Sequence, residues 1–174
     1  MSSPQNQSRF QVRFDWGLDG AASIAGDAHI VVWADALATA GAPDPLAVEG
    51  PSIIRATTGS AAAAAQWILA RQAELGDRAI VAVIAAGTDT GRFAVEDFLA
   101  AGSVIDALST LGIDSTSPEA AAASAAFEGL RNATAHLLTA SVTGQELGPE
   151  KVAEAKLANA SSELRILREF SLQA

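Results

Sequence analysis

Apolar residues along the chain follow two different periods. In residues 10–16 they fall two apart, which is the period of a half-buried strand. Residues 29–34 form a short run rich in β-branched side chains and predict a second strand. The unbroken apolar run at 79–85 predicts a strand buried on both faces, at the centre of a sheet. An imperfect alternation at 164–170 indicates a last strand.

Helical patterns separate these strands. Residues 61–75 are rich in Ala, Gln, Leu and Arg and are followed by glycine, which predicts a helix that ends there. After the 79–85 run, a helical period starts within a few residues of Phe93 and continues to Gly112. Ser117 followed by proline predicts the start of another helix, and a short helix is expected at 150–157.

Strands interleaved with helices indicate a three-layer α/β/α sandwich with a mostly parallel or mixed central sheet. Three prolines and two glycines make residues 41–52 a predicted loop. Residues 1–8 show no hydrophobic periodicity, so we expect a disordered tail followed by a single α/β domain over 9–174. A length of 174 residues suits one hydrophobic core.

The net charge of the chain argues against some classes of binding partner. Twenty acidic and eleven basic side chains give a net charge of -9, which repels nucleic acid and anionic lipid. A small anionic substrate stays compatible if a bound cation or a local arginine reverses the field in one cleft. The chain has no cysteine, which excludes disulfides and thiolate chemistry. The first ten residues lack the apolar core of a secretory signal, so we expect a cytoplasmic protein.

Candidate site residues fall where predicted strands end. Asp35 follows the 29–34 strand, while Arg92 precedes the next helix and Glu96 and Asp97 occupy its first turn. Ligands of open α/β sheets bind beyond the carboxyl ends of the strands, and arginine forks onto phosphate oxygens. Each residue also has a plain structural interpretation: Asp35 can start a turn, the two acids can complement the helix dipole, and Arg92 can be a solvated loop residue.

The turn Thr57-Thr58-Gly59-Ser60 precedes the 61–75 helix and has two interpretations. Its backbone N–H groups could cradle a phosphate, or its hydroxyls could cap the helix. His29 and His136 are far apart in the sequence and lack the spacing of metal ligands, which favours structural roles for both.

Several short segments, in their order and spacing, resemble the 2-phosphosulpholactate phosphatase family. The resemblance extends from about residue 78 to 170, and the N-terminal segments 13–17 and 31–37 look similar to that family's first strands. The segments that carry it are 85–87, 91–92, 94–97, 101–102, 117–120 and 141–147.

The resemblance implies Mg²⁺-dependent hydrolysis of a phosphate monoester, from phosphosulpholactate to sulpholactate and phosphate. It implies a small anionic phosphate ester as partner. Asp35 and Arg92 would be catalytic, and Mg²⁺ held by Asp35 and Glu96 or Asp97 would polarise the phosphoryl oxygens. Arg92, with Thr58, Gly59 and Ser60, would bind the phosphate; the nucleophile is either water or a carboxylate.

Two departures from the family pattern motivate an alternative function. The segment between Asp35 and the 61–75 helix is shorter than in the family, and Thr88-Asp89-Thr90 stands where the family has Glu-Arg-Trp. Arg55-Ala56 could also echo the family's Arg-Asn-Ala motif in place of the 57–60 turn. The alternative is a non-catalytic binding or assembly module that kept the fold and lost part of the active site.

The shortened segment also predicts a homo-oligomer, because a missing segment would leave an apolar face uncovered. Trp33, Trp67 and Phe98 are the residues expected to supply that face.

Overall fold

The computed structural model describes residues 3–169, which contain one five-stranded sheet. Its strands in chain order are β1 (Val12–Trp16), β2 (Ile30–Ala34), β3 (Ser52–Ala56), β4 (Val81–Ala85) and β5 (Arg165–Arg168). Their order in space is β1-β4-β2-β3-β5. The first four are parallel, and β5 pairs antiparallel with β3. The predicted mixed sheet is confirmed, and β4 lies inside it between β1 and β2, as the apolar run predicted.

Seven α-helices occur in residues 3–169, and they account for most of the chain between the strands. They are α1 (Gly17–Ile24), α2 (Ala61–Leu75), α3 (Val95–Thr110), α4 (Pro118–Leu130), α5 (Thr134–Ala140), α6 (Val142–Leu147) and α7 (Pro149–Ala160). The predicted helices at 61–75, after Phe93 and after Ser117 are confirmed. The hydroxyl of Ser117 caps α4 by accepting a hydrogen bond from the N–H of Ala120.

Helices cover both faces of the sheet, which confirms the three-layer sandwich. On one face, α1 packs against a cluster that contains Val31, Trp33, Ile53 and Ile84. On the other face, α2, α3 and α4 contribute to the larger cluster, which includes Val32 and Val83 from the sheet. Short alanine side chains in α2 and α3 let the helices approach the sheet closely, so much of this core is alanine.

Trp33 of β2 lies in the cluster on the α1 face of the sheet and has no exposed surface. The expectation that it helps to form an uncovered apolar face was therefore wrong, because the cluster on that face already buries it. Trp67 and Phe98 are half-buried. The homo-oligomer itself stays a prediction.

The described part of the N-terminal segment contacts the first strand. Pro4–Asn6 form a 3₁₀ turn capped by Ser3. The side-chain amide of Gln7 donates to the carbonyl of Phe14 at 2.9 Å and accepts from the N–H of Phe14 at 3.0 Å. The capped turn and the pairing of Gln7 with β1 describe Ser3 to Ser8 here, and the disordered tail at 1–8 stays a prediction; Met1 and Ser2 lie outside the described residues.

No helix among the described residues is both long enough and apolar enough to cross a membrane.

Candidate functional site

Four parallel strands end at one edge of the sheet. In their register Ala85 pairs with both Trp16 and Ala34, and Ala34 pairs with Ala56. The residues that follow these positions therefore meet at a single edge, the carboxyl edge, where open α/β sheets bind their ligands. Asp35 is one of them, as the sequence predicted.

Asp97 joins the ends of two of these strands. Its side chain, 3% exposed, accepts the N–H of Ala36 at 2.8 Å and the N–H of Gly87 at 2.9 Å, one with each carboxylate oxygen. Burial raises the pKa of Asp97 well above its usual range, and the charges of Asp35 and Glu96 raise it further, whereas the two N–H groups lower it. Asp97 thus fixes the first turn of α3 against the ends of β2 and β4.

Asp35 forms an ion pair with Arg55 of the neighbouring strand β3. The guanidinium Nη2 of Arg55 donates to Oδ2 of Asp35, whose side chain is 4% exposed. Burial raises the pKa of Asp35, the charge and hydrogen bond of Arg55 oppose that rise, and the charges of Glu96 and Asp89 add to it. The pair places a buried acid and a partly exposed cation at the same edge of the sheet.

Glu96 is buried without a complete set of partners. It is 4% exposed, and its Oε2 has no hydrogen-bond partner among the described residues. A buried carboxylate oxygen left unpaired costs free energy, so it points to a ligand or ion that completes it.

A first concave surface, the basic cavity, has a volume of about 500 Å³ and surrounds the Asp35–Arg55 pair. Its charged lining residues are the cations Arg55, Lys151 and Arg165 and the acids Asp35 and Glu154. Cations therefore outnumber acids here, in a chain whose overall charge is strongly negative. The surplus favours an anionic ligand.

A second concave surface, the acidic cavity, has a volume of about 240 Å³. It shares Leu37 and Thr39 with the basic cavity, so the two lie side by side. Its charged lining residues are Asp89, Arg92, Glu96, Asp97 and Glu146. Asp97 has a raised pKa that favours its neutral form, which leaves three acids against one cation and a negative field in this cavity.

A third and smaller cavity of about 170 Å³ lies beside Glu96 and is mainly apolar, with Leu99 and Leu138 in its lining. Thr58 lines it as well. The other two residues expected to bind phosphate are engaged by the protein itself: the N–H of Gly59 donates to the carbonyl of Asn159 at 2.8 Å, and the hydroxyl of Ser60 accepts from the N–H of Thr57 at 2.9 Å. The turn therefore docks on the end of α7.

The predicted site residues are only partly brought together. Arg92, Glu96 and Asp97 line the acidic cavity, whereas Asp35 lines the basic cavity next to it. Asp35 and Arg92, the predicted catalytic pair, thus lie in different cavities, because Asp35 is drawn toward β3 by Arg55.

Residues 47–165 match the model of a family described as 2-phosphosulpholactate phosphatase. The match covers more than half of the chain and includes β3, β4, α3 and the cations of the basic cavity, whereas Asp35 lies outside it. The chain belongs to the 2-phosphosulpholactate phosphatase family. No curated protein is significantly similar to it.

Membership of the phosphatase family implies a Mg²⁺ ion, and the side chains allow a test of that implication. Among residues 3–169, no three His, Cys, Asp or Glu side chains are grouped as a metal site. Asp97 accepts hydrogen bonds from two backbone N–H groups, and Asp35 is paired with Arg55. The expected trio of Asp35, Glu96 and Asp97 therefore does not surround one ion. Mg²⁺ is often held by one or two carboxylates and completed by water and substrate phosphate. Asp35, the buried acid in the basic cavity, is paired with Arg55 through Oδ2 alone, and its Oδ1 fits that arrangement.

Sequence reasoning missed most of the cations of the basic cavity. Arg55 had a weak signal, since it lies in the segment that echoes a family motif. Lys151 and Arg165 had none, because both come more than ninety residues after Arg55 in the chain. Arg165 lies opposite Arg55 through the antiparallel pairing of β5 with β3, and Lys151 is placed by α7, which packs against α5 and α6. Knowledge of the strand order would have identified Arg165.

Proposed function

We propose that the protein is a phosphatase that hydrolyses a small phosphate monoester in the basic cavity, in the presence of Mg²⁺. Membership of the family supports the reaction class. The observation that carries the location is the Asp35–Arg55 pair at the carboxyl edge of the sheet, inside a cavity where cations outnumber acids.

In this proposal three cations bind the phosphate. Arg55 and Arg165 present planar guanidinium groups that donate two parallel hydrogen bonds to phosphate oxygens, and Lys151 adds a compact positive charge. Their combined charge also stabilises the negative charge that spreads over the equatorial oxygens in the transition state.

Asp35 acts on the water nucleophile. Its carboxylate orients a water molecule and accepts its proton as the water oxygen forms a bond to phosphorus. The bond between phosphorus and the ester oxygen breaks, and the leaving alkoxide takes a proton from solvent. A raised pKa suits this role, because a base works best when its pKa is near the working pH.

Asp35 is also the residue that would hold Mg²⁺, through the oxygen that Arg55 leaves free and together with oxygens of the substrate. With the ion in place that oxygen would not accept a proton, so Asp35 would orient the water and the proton would pass to solvent. When bound, the ion supplies Lewis-acid polarisation of the phosphoryl oxygens. Arg55 holds the carboxylate of Asp35 in place.

The test is release of phosphate from an aryl phosphate by wild type and variants, with Mg²⁺ and with EDTA. We expect Asp35→Asn to lose at least about 100-fold in kcat, as for loss of a general base. Arg55→Met should raise KM as well as lower kcat, because it binds the phosphate in the ground state too.

Matched controls remove the same charges elsewhere. Glu128→Gln on α4 and Arg78→Met, at the opposite edge of the sheet, alter exposed residues and should retain wild-type activity. Full activity in Asp35→Asn, with the fold verified by circular dichroism, would exclude the proposed site. If wild type binds phosphate and hydrolyses no ester, the alternative of a non-catalytic binding module holds.

A further inference from the structure

Asp35 lies just beyond the end of β2, where the chain leaves the sheet. The strand ends at Ala34, whose carbonyl accepts the N–H of Ala86 at 2.9 Å. Residues 35–37 follow as irregular chain and are buried. Buried backbone groups outside a sheet need hydrogen-bond partners from elsewhere in the protein. The position of the Asp35 carboxylate therefore depends on the groups that hold the backbone of Ala36.

The backbone of Ala36 is held from two sides. Its N–H donates to Oδ1 of Asp97 at 2.8 Å, and its carbonyl accepts from Nδ2 of Asn159 at 2.7 Å. Asn159 is 9% exposed and lies in the last turn of α7, 123 residues further along the chain. The same nitrogen donates to the carbonyl of Ala155 at 2.8 Å. Because both partners are carbonyl oxygens, which only accept, they fix the orientation of this amide.

Asn159 also holds the turn that follows β3. Its backbone carbonyl accepts the N–H of Gly59 at 2.8 Å. A Cβ added to Gly59 would lie 2.3 Å from that carbonyl oxygen, so only glycine allows the turn to approach α7 this closely. The chain just after Asp35 and the turn just after β3, which carries Arg55, therefore both bond to one residue of the helix that carries Lys151.

We infer that Asn159 is a positioning residue, whose side-chain amide holds the Ala36 carbonyl and thereby orients the Asp35 carboxylate toward the water nucleophile. This inference rests on the proposed phosphatase function. Asn159 lines the small apolar cavity rather than the basic cavity, so it acts through Asp35 and not on the phosphate. Loss of its amide should slow the step in which Asp35 takes part, while the three cations still bind the phosphate.

The first variant, Asn159→Leu, keeps a side chain of similar size and removes both donors. We expect kcat for an aryl phosphate to fall by about 10- to 100-fold and KM to stay within about twofold. Arg55→Met, which should change KM, provides the contrast. Ser117→Ala removes the cap of α4 at the opposite edge of the sheet and controls for lost stability alone. Asn132→Leu controls for loss of an exposed amide. Both controls should retain the wild-type kcat when folded.

The second variant, Asn159→Asp, keeps the shape of the side chain and tests the donor itself. Burial between two carbonyl oxygens favours the protonated form of the carboxyl introduced there, and only that form can donate to the Ala36 carbonyl. We expect the ratio of variant to wild-type kcat to fall as pH rises from mildly acidic to mildly alkaline. Glu96 and Lys156 line the cavity beside Asn159 and are present in both proteins, so the ratio isolates the new carboxyl.

The outcomes separate this inference from the proposed function. Wild-type kcat in Asn159→Leu, or a ratio in Asn159→Asp that is equally low at every pH, would overturn the inference and leave the phosphatase function standing. A rise in KM in place of the fall in kcat would assign Asn159 to phosphate binding and overturn it as well. If Asn159→Leu does not fold, Asn159→Asp decides.

A readout without catalysis covers the remaining case. If wild type hydrolyses no ester, the phosphatase function fails, and amide hydrogen exchange decides the inference. We expect the N–H of Ala36 to exchange faster in the Asn159 variants than in wild type, while the N–H groups of β4 exchange at the wild-type rate. Unchanged exchange at Ala36 would show that Asn159 does not hold this segment.

Discussion

Adjacent residues in the first turn of α3 have different tasks. The sequence placed Glu96 and Asp97 together as metal ligands or as partners of the helix dipole. In the structure Asp97 holds the backbone of β2 and β4, and Glu96 keeps an oxygen free. No local pattern could assign these tasks, because the partners of Asp97 depend on which strand ends the sheet brings beside α3.

The buried charge of Asp97 gives a prediction for the pH dependence of stability. Below the ordinary aspartate pKa of 3.8, the carboxyl is protonated in both folded and unfolded chains and contributes nothing. Above 3.8 the unfolded chain loses the proton and the folded protein keeps it, so the free energy of unfolding falls as pH rises through the raised pKa. We expect urea unfolding to show this fall in wild type and a smaller fall in Asp97→Asn.

Asp35 has a pKa raised in the same direction, so part of the fall should persist in Asp97→Asn. Asp114→Asn, which alters an exposed aspartate, should follow the wild-type curve. Identical curves for wild type and Asp97→Asn would show that Asp97 carries no raised pKa.

At the scale of elements, prediction worked for long, strongly periodic segments and failed for short ones. The helix at 61–75 and the central strand were found, whereas α1 and β3 were not. α1 contains Gly17 and Gly20, and glycine weakens a helical pattern. Gly20 is needed there because an added Cβ would lie 2.8 Å from the side chain of Asp15. β3 is five residues long and directly follows a proline, so its apolar run was too short to be recognised.

Packing of α3 against α4 gives a prediction about a single methyl group. A Cβ added to Gly102 would lie 2.1 Å from the carbonyl oxygen of Ala123 and 3.0 Å from Cβ of Phe127. The contacted atom belongs to the backbone of α4, which cannot move aside as the end of a flexible side chain could. We expect Gly102→Ala to lower the free energy of unfolding by about 1–3 kcal/mol, measured by urea titration.

Gly129 in α4 is the matched control, because an added Cβ there meets nothing within 4 Å. Gly129→Ala should be neutral or stabilise by up to about 1 kcal/mol, through helix propensity alone. If both variants behave alike, the close approach of α3 and α4 is not present in solution.

For the whole molecule, the net charge does not predict the charge of an individual cavity. A net charge of -9 argues against polyanionic partners, and it gives no sign that Arg55, Lys151 and Arg165 converge in one cavity. Composition sums over the chain, whereas a ligand experiences only the groups brought together by the fold. The class of ligand could be inferred from the sequence only through the family resemblance. The place where the ligand binds could be inferred only from the strand order of the sheet.

The basic cavity and its single buried acid give a prediction about ligand-linked stability. A ligand that binds only the folded protein stabilises it by an amount set by its concentration relative to its dissociation constant, about 1.4 kcal/mol at a tenfold excess. For a chain of this size that corresponds to a rise in Tm of about 3–6 °C. We expect inorganic phosphate to give such a rise and Mg²⁺ alone to give little. The two together should exceed phosphate alone, because Asp35 needs phosphate oxygens to complete the coordination of the ion.

Two variants and a salt control test the origin of the rise. Arg55→Met should remove the rise with phosphate, and Arg78→Met should retain it. Sodium chloride at equal ionic strength serves as the solvent control. A full rise with Mg²⁺ alone that disappears in Asp35→Asn would mean that the protein binds the ion without substrate, and the carboxylates would then have to move together from the positions they occupy here.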